Sequence, residues 1–553
     1  MSGKLIPSWS SIVSSACCQF SILTLVIALA QLSTVAQSSI SKVWQPDNGN
    51  GTYKNPVLFA DYSDPDVIRV GDDFYLIASS FNSAPGLPIL HSQDLVNWSI
   101  LGHVFSRQPP FEVFNKPQHG NGAWAPAIRY HQGEFYVFYP DPDFGIYMSR
   151  TKNPAGPWSE PLLIKAAKGW IDPCPFWDED GQAYLVNAFA GSRAGVKSIL
   201  VISRISNDGT RLLDEGVIVF DGHDKNPTVE GPKLYKRNGF YYIFAPAGGV
   251  ETGWQLALRA KNIFGPYEQK IVLAQGKTPI NGPHQGAWIE TQTGESWFIH
   301  FQDRGAYGRV VHLQPMRWLN DWPIIGVDRD GDGTGEPVLM YEKPNVGRSF
   351  PPITPADSDE FNNGRVGLQW QWQANPEANW AFPSPGYGFL RLFSVAPAAD
   401  ARNFWNLPNL LLQKFPAPVF TVTTRATFTP RSDNEKTGLI VMGADYAYVS
   451  VQKKAAGLYA SESICKDADK QTVERQLGEQ QIKSNSFYLR VKVTEGAICS
   501  FSYSLDGTAF SPVGEPFTAR KGRWVGAKVG IFAVGSGTTY ERGYADFDWF
   551  RVE

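Results

Sequence analysis

The sequence predicts an all-β protein in two parts, a five-bladed β-propeller followed by a β-sandwich. Three observations carry this expectation. A unit of polar turn, aromatic residue and apolar strand recurs five times in the first half of the chain. Gly (52), Pro (40) and aromatics (13%) are abundant over 553 residues, which suits short strands joined by turns. A Pro- and Asp-rich break then gives way to alternating apolar and polar residues.

The repeats are "GDDFYLIASS" from Gly71, "HQGEFYVFYP" from His131, "EDGQAYLVNA" from Glu179, "KRNGFYYIFA" from Lys236 and "QTGESWFIHF" from Gln292. Their spacing is irregular but stays at roughly fifty to sixty residues, the length of a propeller blade. Second motifs follow several copies: "HSQDLVNW" at His91, "TKNPAGPW" at Thr151 and "AKNIFGPY" at Ala260. Five copies imply five blades over residues 50–344, the alternative being one large sandwich with coincidental hairpins. Residues 345–358 read as a linker, and 359–553 as the sandwich. There "FTVTTRATF" at Phe420, "YAYVSVQKK" at Tyr446, "FYLRVKV" at Phe487 and "VGIFAVG" at Val529 read as half-buried antiparallel strands.

Ahead of the propeller, Phe20 to Leu32 is an apolar run too short to span a bilayer comfortably. Lys4 precedes it and Thr34-Val35-Ala36 follows, so residues 1–36 read as a secretory signal, with an uncleaved anchor as the alternative. A secreted or extracytoplasmic protein is expected, with no membrane contact after signal removal. The net charge of -3 gives no electrostatic case for nucleic acid. Cys17 and Cys18 leave with the signal, and Cys465 and Cys499 are candidates to pair beside a third cysteine, Cys174.

The propeller repeat places one acid before or at the opening of three blades: Asp64 in "SDPD", Asp172 in "WIDPCPF" and Glu230 in "TVEGPKLY". Each is followed at once by Pro or Gly, residues that set special backbone geometry. Strand mouths converge on a propeller axis, so these acids can meet although they are far apart in sequence. Three acids in one cavity repel one another, and burial raises the cost of ionising them all. A fold does not need that arrangement. Glycoside hydrolysis does, with one acid protonating the leaving oxygen and a second carboxylate activating water or attacking.

Residues 55 to about 344 resemble glycoside hydrolase family 43. The resemblance rests on "NPVLFADYSDPDVIRVGDDFYL", "WAPAIRYHQGEFYVFY", "GWIDPCPFWDEDGQAYLV", "VEGPKLYKRNGFYYIF", "HQGAWIE" and "YGRVVHLQPMRW". It implies a five-bladed propeller that hydrolyses arabinose- and xylose-containing plant polysaccharides with inversion. The ending "GYADFDWFRVE" looks like the concanavalin A-like β-sandwich of the β-xylosidase branch. Carried over by position, Asp64 is implied as general base and Glu230 as general acid, with its pKa raised by neighbouring negative charge. Asp172 is implied as the carboxylate that orients the acid and keeps it protonated. Arg309, Trp124 and Phe81 are implied to line the innermost sugar subsite. His284 is implied beside it, as a ligand, through water, of a hydrated calcium ion. No cofactor is required by this chemistry.

A second candidate metal loop is "GVDRDGDGTGEP" at Gly326, where Asp328, Asp330 and Asp332 alternate. Leu339 stands where a calcium loop of the helix–loop–helix type has its bidentate Glu, so a turn is the favoured reading. For substrate, the resemblance implies an exo-acting enzyme releasing terminal pentoses from xylo-oligosaccharides or arabinoxylan. It favours β-D-xylosidase, with α-L-arabinofuranosidase as side activity or alternative. Asn82, Ser83 and Ala84 replace bulkier residues of the single-specificity branch, so a more open wall is expected there. Two other readings are a non-catalytic carbohydrate-binding propeller, which would not need three converging acids, and a fructan hydrolase. The Trp-Met-Asn-Asp-Pro and Arg-Asp-Pro motifs of the fructan group are missing at the matching places.

Overall fold

The computed structural model of the chain describes residues 1–3, 40–535 and 541–553. Beyond residue 3, the segment 1–36 read as a signal lies outside the described residues. Residues 40–553 form one compact unit. Among the described residues, no helix is long and apolar enough to cross a membrane.

Five four-stranded antiparallel sheets follow one another along the chain, each built from four consecutive strands. Their first strands are Asp66–Val70, Ala127–His131, Trp170–Trp177, Lys233–Arg237 and His284–Glu290. These are blades 1 to 5 of a propeller. The five sequence repeats fall on the second strands: Asp73–Ile77, Glu134–Asp141, Ala183–Phe189, Phe240–Ala247 and Ser296–Asp303. Their apolar residues alternate between the two faces of a blade, so each face packs against a neighbouring blade.

An apolar core fills every gap between blades. Ile77 and Val137 meet between blades 1 and 2. Phe138 and Leu185 meet between blades 2 and 3. Val186 and Ile243 fill the next gap, and Phe244, Trp288 and Phe298 the one after. Phe74, Ala287 and Ile299 close the ring between blades 5 and 1. Burying each large side chain is worth roughly 1.5–3 kcal/mol, so the ring is held by five separate cores rather than one centre. The N-terminal strand Thr52–Lys54 pairs with Met340–Glu342, after the last blade. Asn55 reinforces this closure: its side chain donates to the carbonyls of Leu313 and Val338 and accepts from Leu313 N.

The C-terminal part is a sandwich of two antiparallel sheets. Phe428, Phe487, Leu489, Ile531 and Phe547 are among the residues that fill the space between them. The sandwich docks on the propeller through specific polar contacts. Gln371 Nε2 donates to Pro85 O at 2.8 Å, Asn375 exchanges bonds with the Gln108 backbone, and Ala84 pairs with Trp372. Residues 345–358 also pack down: Val346, Thr354 and Asp357 are buried, and Asp357 accepts from Ser41 Oγ at 2.7 Å.

The candidate pair Cys465 and Cys499 is not bonded, and all three described cysteines are free and buried. Cys465 ends Gly457–Cys465 in one sheet of the sandwich, and Cys499 lies in Ile498–Ser504 in the other. Each thiol finds a local partner instead, Thr472 Oγ1 for Cys465 and Ala497 O for Cys499.

Candidate active site

The acid–Pro motifs turn out to be left-handed turns at strand mouths. Asp64 has φ 55° and Asp172 φ 56°, a region that non-glycine residues seldom adopt and that costs roughly 1–3 kcal/mol. Asp64 stands two residues before the first strand of blade 1. Asp172 lies inside that of blade 3, where the ladder with the second strand slips between Ile171 and Cys174. Both carboxylates are thereby freed from the pleat alternation and turned toward the axis. Glu230 precedes Gly231, itself at φ 59°, where a Cβ would come within 2.8 Å of the Gln285 side chain. Only glycine fits that contact, so the turn that carries Glu230 depends on it.

All seven residues singled out from the sequence line one pocket: Asp64, Phe81, Trp124, Asp172, Glu230, His284 and Arg309. Its volume is about 110 Å³. A wider groove beside Lys277, Arg329 and Tyr341, of about 600 Å³, has no comparable set of facing acids. Phe81 pairs through its backbone with Ala123, and its ring lies 6.4 Å from that of Trp124. Trp124 is anchored by its indole N–H on Gly120 O at 2.8 Å.

The three acids occupy different electrical surroundings. Asp64 accepts from Arg309 Nη1 at 2.9 Å and from Ser79 Oγ at 2.6 Å. Asp172 is 2% exposed and accepts from Gly231 N at 2.7 Å, which ties it to the residue after Glu230. Burial, then the negative charge of Glu230, and to a lesser degree that of Asp64, push the Asp172 carboxyl up to about 7. Glu230 Oε1 lies 2.8 Å from His284 Nε2, and its side chain is 24% exposed, the most open of the three acids.

The sequence did not point to Trp524, which the sandwich inserts into the pocket from a left-handed position at φ 68°. Its ring meets Trp124 edge-on at 6.2 Å, and the Arg309 guanidinium lies 6.0 Å from it. Asp61 fixes this loop: its carboxylate accepts from Gly526 N at 2.8 Å and from Arg309 N at 3.0 Å. Gly308, at φ 75°, makes room for that carboxylate, which a Cβ there would meet at 2.5 Å. The more open wall expected at Asn82, Ser83 and Ala84 is not seen. These small residues are buried against the sandwich, bonding Gln373 O, Lys528 Nζ and the Trp372 backbone.

Neither metal reading gains an all-protein cage in the pocket. Among the described residues, the one cluster of three acids with mutually close oxygens, within 4.8 Å, is Asp328, Asp330 and Asp332. Asp328 spends its oxygens on Gly331 N and Gly333 N, as a turn former does. At His284 the Nδ1 atom is buried without a protein partner, as is Gln285 Oε1 beside it. An imidazole nitrogen and an amide oxygen suit a hydrated cation, with the histidine reaching a hard ion through water.

Comparison with known proteins agrees with the geometry. Residues 53–323 match the family model described as glycosyl hydrolases family 43, and residues 358–553 match that of the beta xylosidase C-terminal concanavalin A-like domain. A Xylanibacter ruminicola protein, provisionally named a beta-xylosidase, is 41% identical over 500 residues, covering 88% of this chain and 87% of its own. A Formosa agariphila beta-xylosidase is 33% identical over 559 residues, covering 92% and 91%. The crystal structure of a xylan beta-1,4-xylosidase from Bacillus halodurans superposes with a TM-score of 0.79 at 25% identity, covering 90% of this chain and 99% of its own. The 41% identical relative covers 88% of the chain and, with residues 53–323 on the family model, settles its kinship: it belongs to glycosyl hydrolase family 43.

Proposed function

We propose that this family 43 glycoside hydrolase is an inverting β-D-xylosidase that removes single xylose units from the ends of xylo-oligosaccharides. The reading rests on one observation above all: three carboxylates line one small pocket in different surroundings, Asp64 held by Arg309 and Ser79 and Asp172 buried beside Glu230. Asp64, held by Arg309 and Ser79, serves as general base, taking a proton from the attacking water. Asp172 and Glu230 share one proton between them, the Asp172 carboxyl being pushed up to about 7 by burial and by Glu230, and that proton sits on Glu230 when it is delivered. Glu230, the most exposed of the three, protonates the departing glycosidic oxygen, and Asp172 orients it through the Gly231 amide. In the inverting mode a water must fit between base and sugar, so Asp64 acts on water rather than on the anomeric carbon.

Arg309, Trp124, Phe81 and Trp524 hold the sugar. Trp524, contributed by the sandwich, narrows the pocket entrance, which supports action at chain ends rather than within a polymer. The names of the most similar relatives favour xylose as the released sugar. α-L-Arabinofuranosides remain the competing substrates, since both pentoses present similar hydroxyls to a small pocket. The scheme uses no cofactor. A hydrated calcium ion at His284 would neutralise charge beside Glu230 and help orient it. Secretion rests on the apolar run before residue 36, and N-terminal sequencing of protein recovered from the medium tests it.

The test is release of nitrophenol from 4-nitrophenyl β-D-xylopyranoside and 4-nitrophenyl α-L-arabinofuranoside by the wild type, Asp64→Ala and Glu230→Ala. Faster release from the xyloside, lost in both variants, is expected. Wild-type rates in either variant would overturn the assignment of roles.

A further inference from the structure

Blade 2 brings no acid into the pocket, yet one of its side chains reaches the strands that do. Arg129, on the first strand of blade 2, donates from Nη1 to Asp66 Oδ2 at 2.6 Å and from Nη2 to Cys174 Sγ at 2.9 Å. Asp66 stands two residues after Asp64, and Cys174 two residues after Asp172. The same guanidinium lies 5.5 Å over the ring of Tyr235, on the first strand of blade 4. Asp66 Oδ2 also accepts from Ile128 N at 2.8 Å, so blade 1 grips blade 2 at two points. Asp66 and Cys174 are both fully buried. One guanidinium therefore touches the first strands of blades 1, 3 and 4 from its seat on blade 2.

A purely structural axle does not call for a buried ion pair, because apolar residues of similar volume fill such a space at no desolvation cost. What a guanidinium adds is a rigid planar fork that fixes the distance between two acceptors. We infer that Arg129 is a positioning residue for hydrolysis, a brace that sets the separation between the Asp64 and Asp172 strands. The inference rests on the roles proposed for those two acids. An inverting site must hold a gap of one water, and displacement of a reacting group by about 1 Å costs on the order of 100-fold in rate. Lysine keeps the charge but is a single point donor. Its ammonium sits on a flexible stem and does not fix the distance between the two acceptors.

The experiment compares full-length wild type, Arg129→Lys and Cys174→Ala on 4-nitrophenyl β-D-xylopyranoside, with thermal unfolding to count folded molecules. For Arg129→Lys, kcat per folded molecule falls about 10- to 100-fold while KM stays within about threefold, because the sugar contacts are untouched. Cys174→Ala removes only the blade 3 arm and lowers kcat by about 3- to 10-fold, with KM again steady. Wild-type kcat in both variants, with only a lowered melting temperature, would mean a merely structural ion pair and overturn the inference. If Arg129→Lys does not fold, Cys174→Ala decides alone by the same criterion. A wild type that releases no xylose would instead remove the assignment of Asp64 and Asp172, and this inference with it.

Discussion

Replacing Asp172 by Asn removes a buried carboxyl and keeps its shape. The folded protein holds the Asp172 proton to about pH 7, whereas an unfolded chain releases it near 3.8. Rising pH therefore favours the unfolded chain across that window. At 1.36 kcal/mol per pH unit, the penalty on the wild type reaches at most about 4 kcal/mol by pH 8 and about 1 kcal/mol at pH 4.5. Asp172 shares its site with Glu230, so roughly half of that difference is the expected reading, since the pair titrates together. Asn carries no such penalty, and its amide oxygen still accepts from Gly231 N. Urea unfolding at both pH values measures the effect: Asp172→Asn should be more stable than the wild type at pH 8, by about 1–2 kcal/mol more than at pH 4.5. The same variant loses the proton-holding partner of Glu230, and its kcat should fall by about 100-fold or more. An advantage equal at both pH values would refute the elevated carboxyl, and wild-type turnover would refute its place in the reaction.

Glu230→Gln should slow hydrolysis of xylobiose by about 100- to 10,000-fold. It should spare a 2,4-dinitrophenyl xyloside, whose leaving group needs no proton, and steady-state rates on both substrates check this. The pH–rate profile of kcat should decline above about pH 7, as the Asp172–Glu230 pair loses its proton. Trp524→Ala removes an aromatic contact worth about 0.5–1.5 kcal/mol, so kcat/KM for xylobiose should drop about 2- to 12-fold. Cys174, Cys465 and Cys499 should all react with Ellman's reagent in urea without reductant, because none is paired.

Much of this architecture was legible in the chain because a propeller writes its period into the sequence. Each repeat marks a second strand, and the acids at or before the openings of three first strands reveal which mouths face the axis. Asp64 and Asp172 were findable for a physical reason: an acid followed at once by proline, in phase with the blade repeat, is an unusual thing to place at a strand mouth. What the chain hid depends on contacts between its two halves. Trp524 is far from Asp64 in sequence and carries no motif; only docking of the sandwich brings it to the pocket. The short side chains of Asn82, Ser83 and Ala84 suggested open space, but they leave room for the sandwich to approach. The depth at which Asp172 is buried could not be read either, because burial is a property of the fold. Cys465 and Cys499 looked like a pair only because nothing in a sequence says that they lie in different sheets.

The most direct test of the central claim is to follow hydrolysis of xylobiose by proton NMR at early times and observe which anomer of xylose forms first. With Asp64 activating a water opposite the leaving group, cleavage of the β-linkage should release α-xylose, and β-xylose should appear only as mutarotation proceeds. Initial release of β-xylose would mean that a carboxylate attacks the sugar, and would contradict the assignment of Asp64 as a base acting through water.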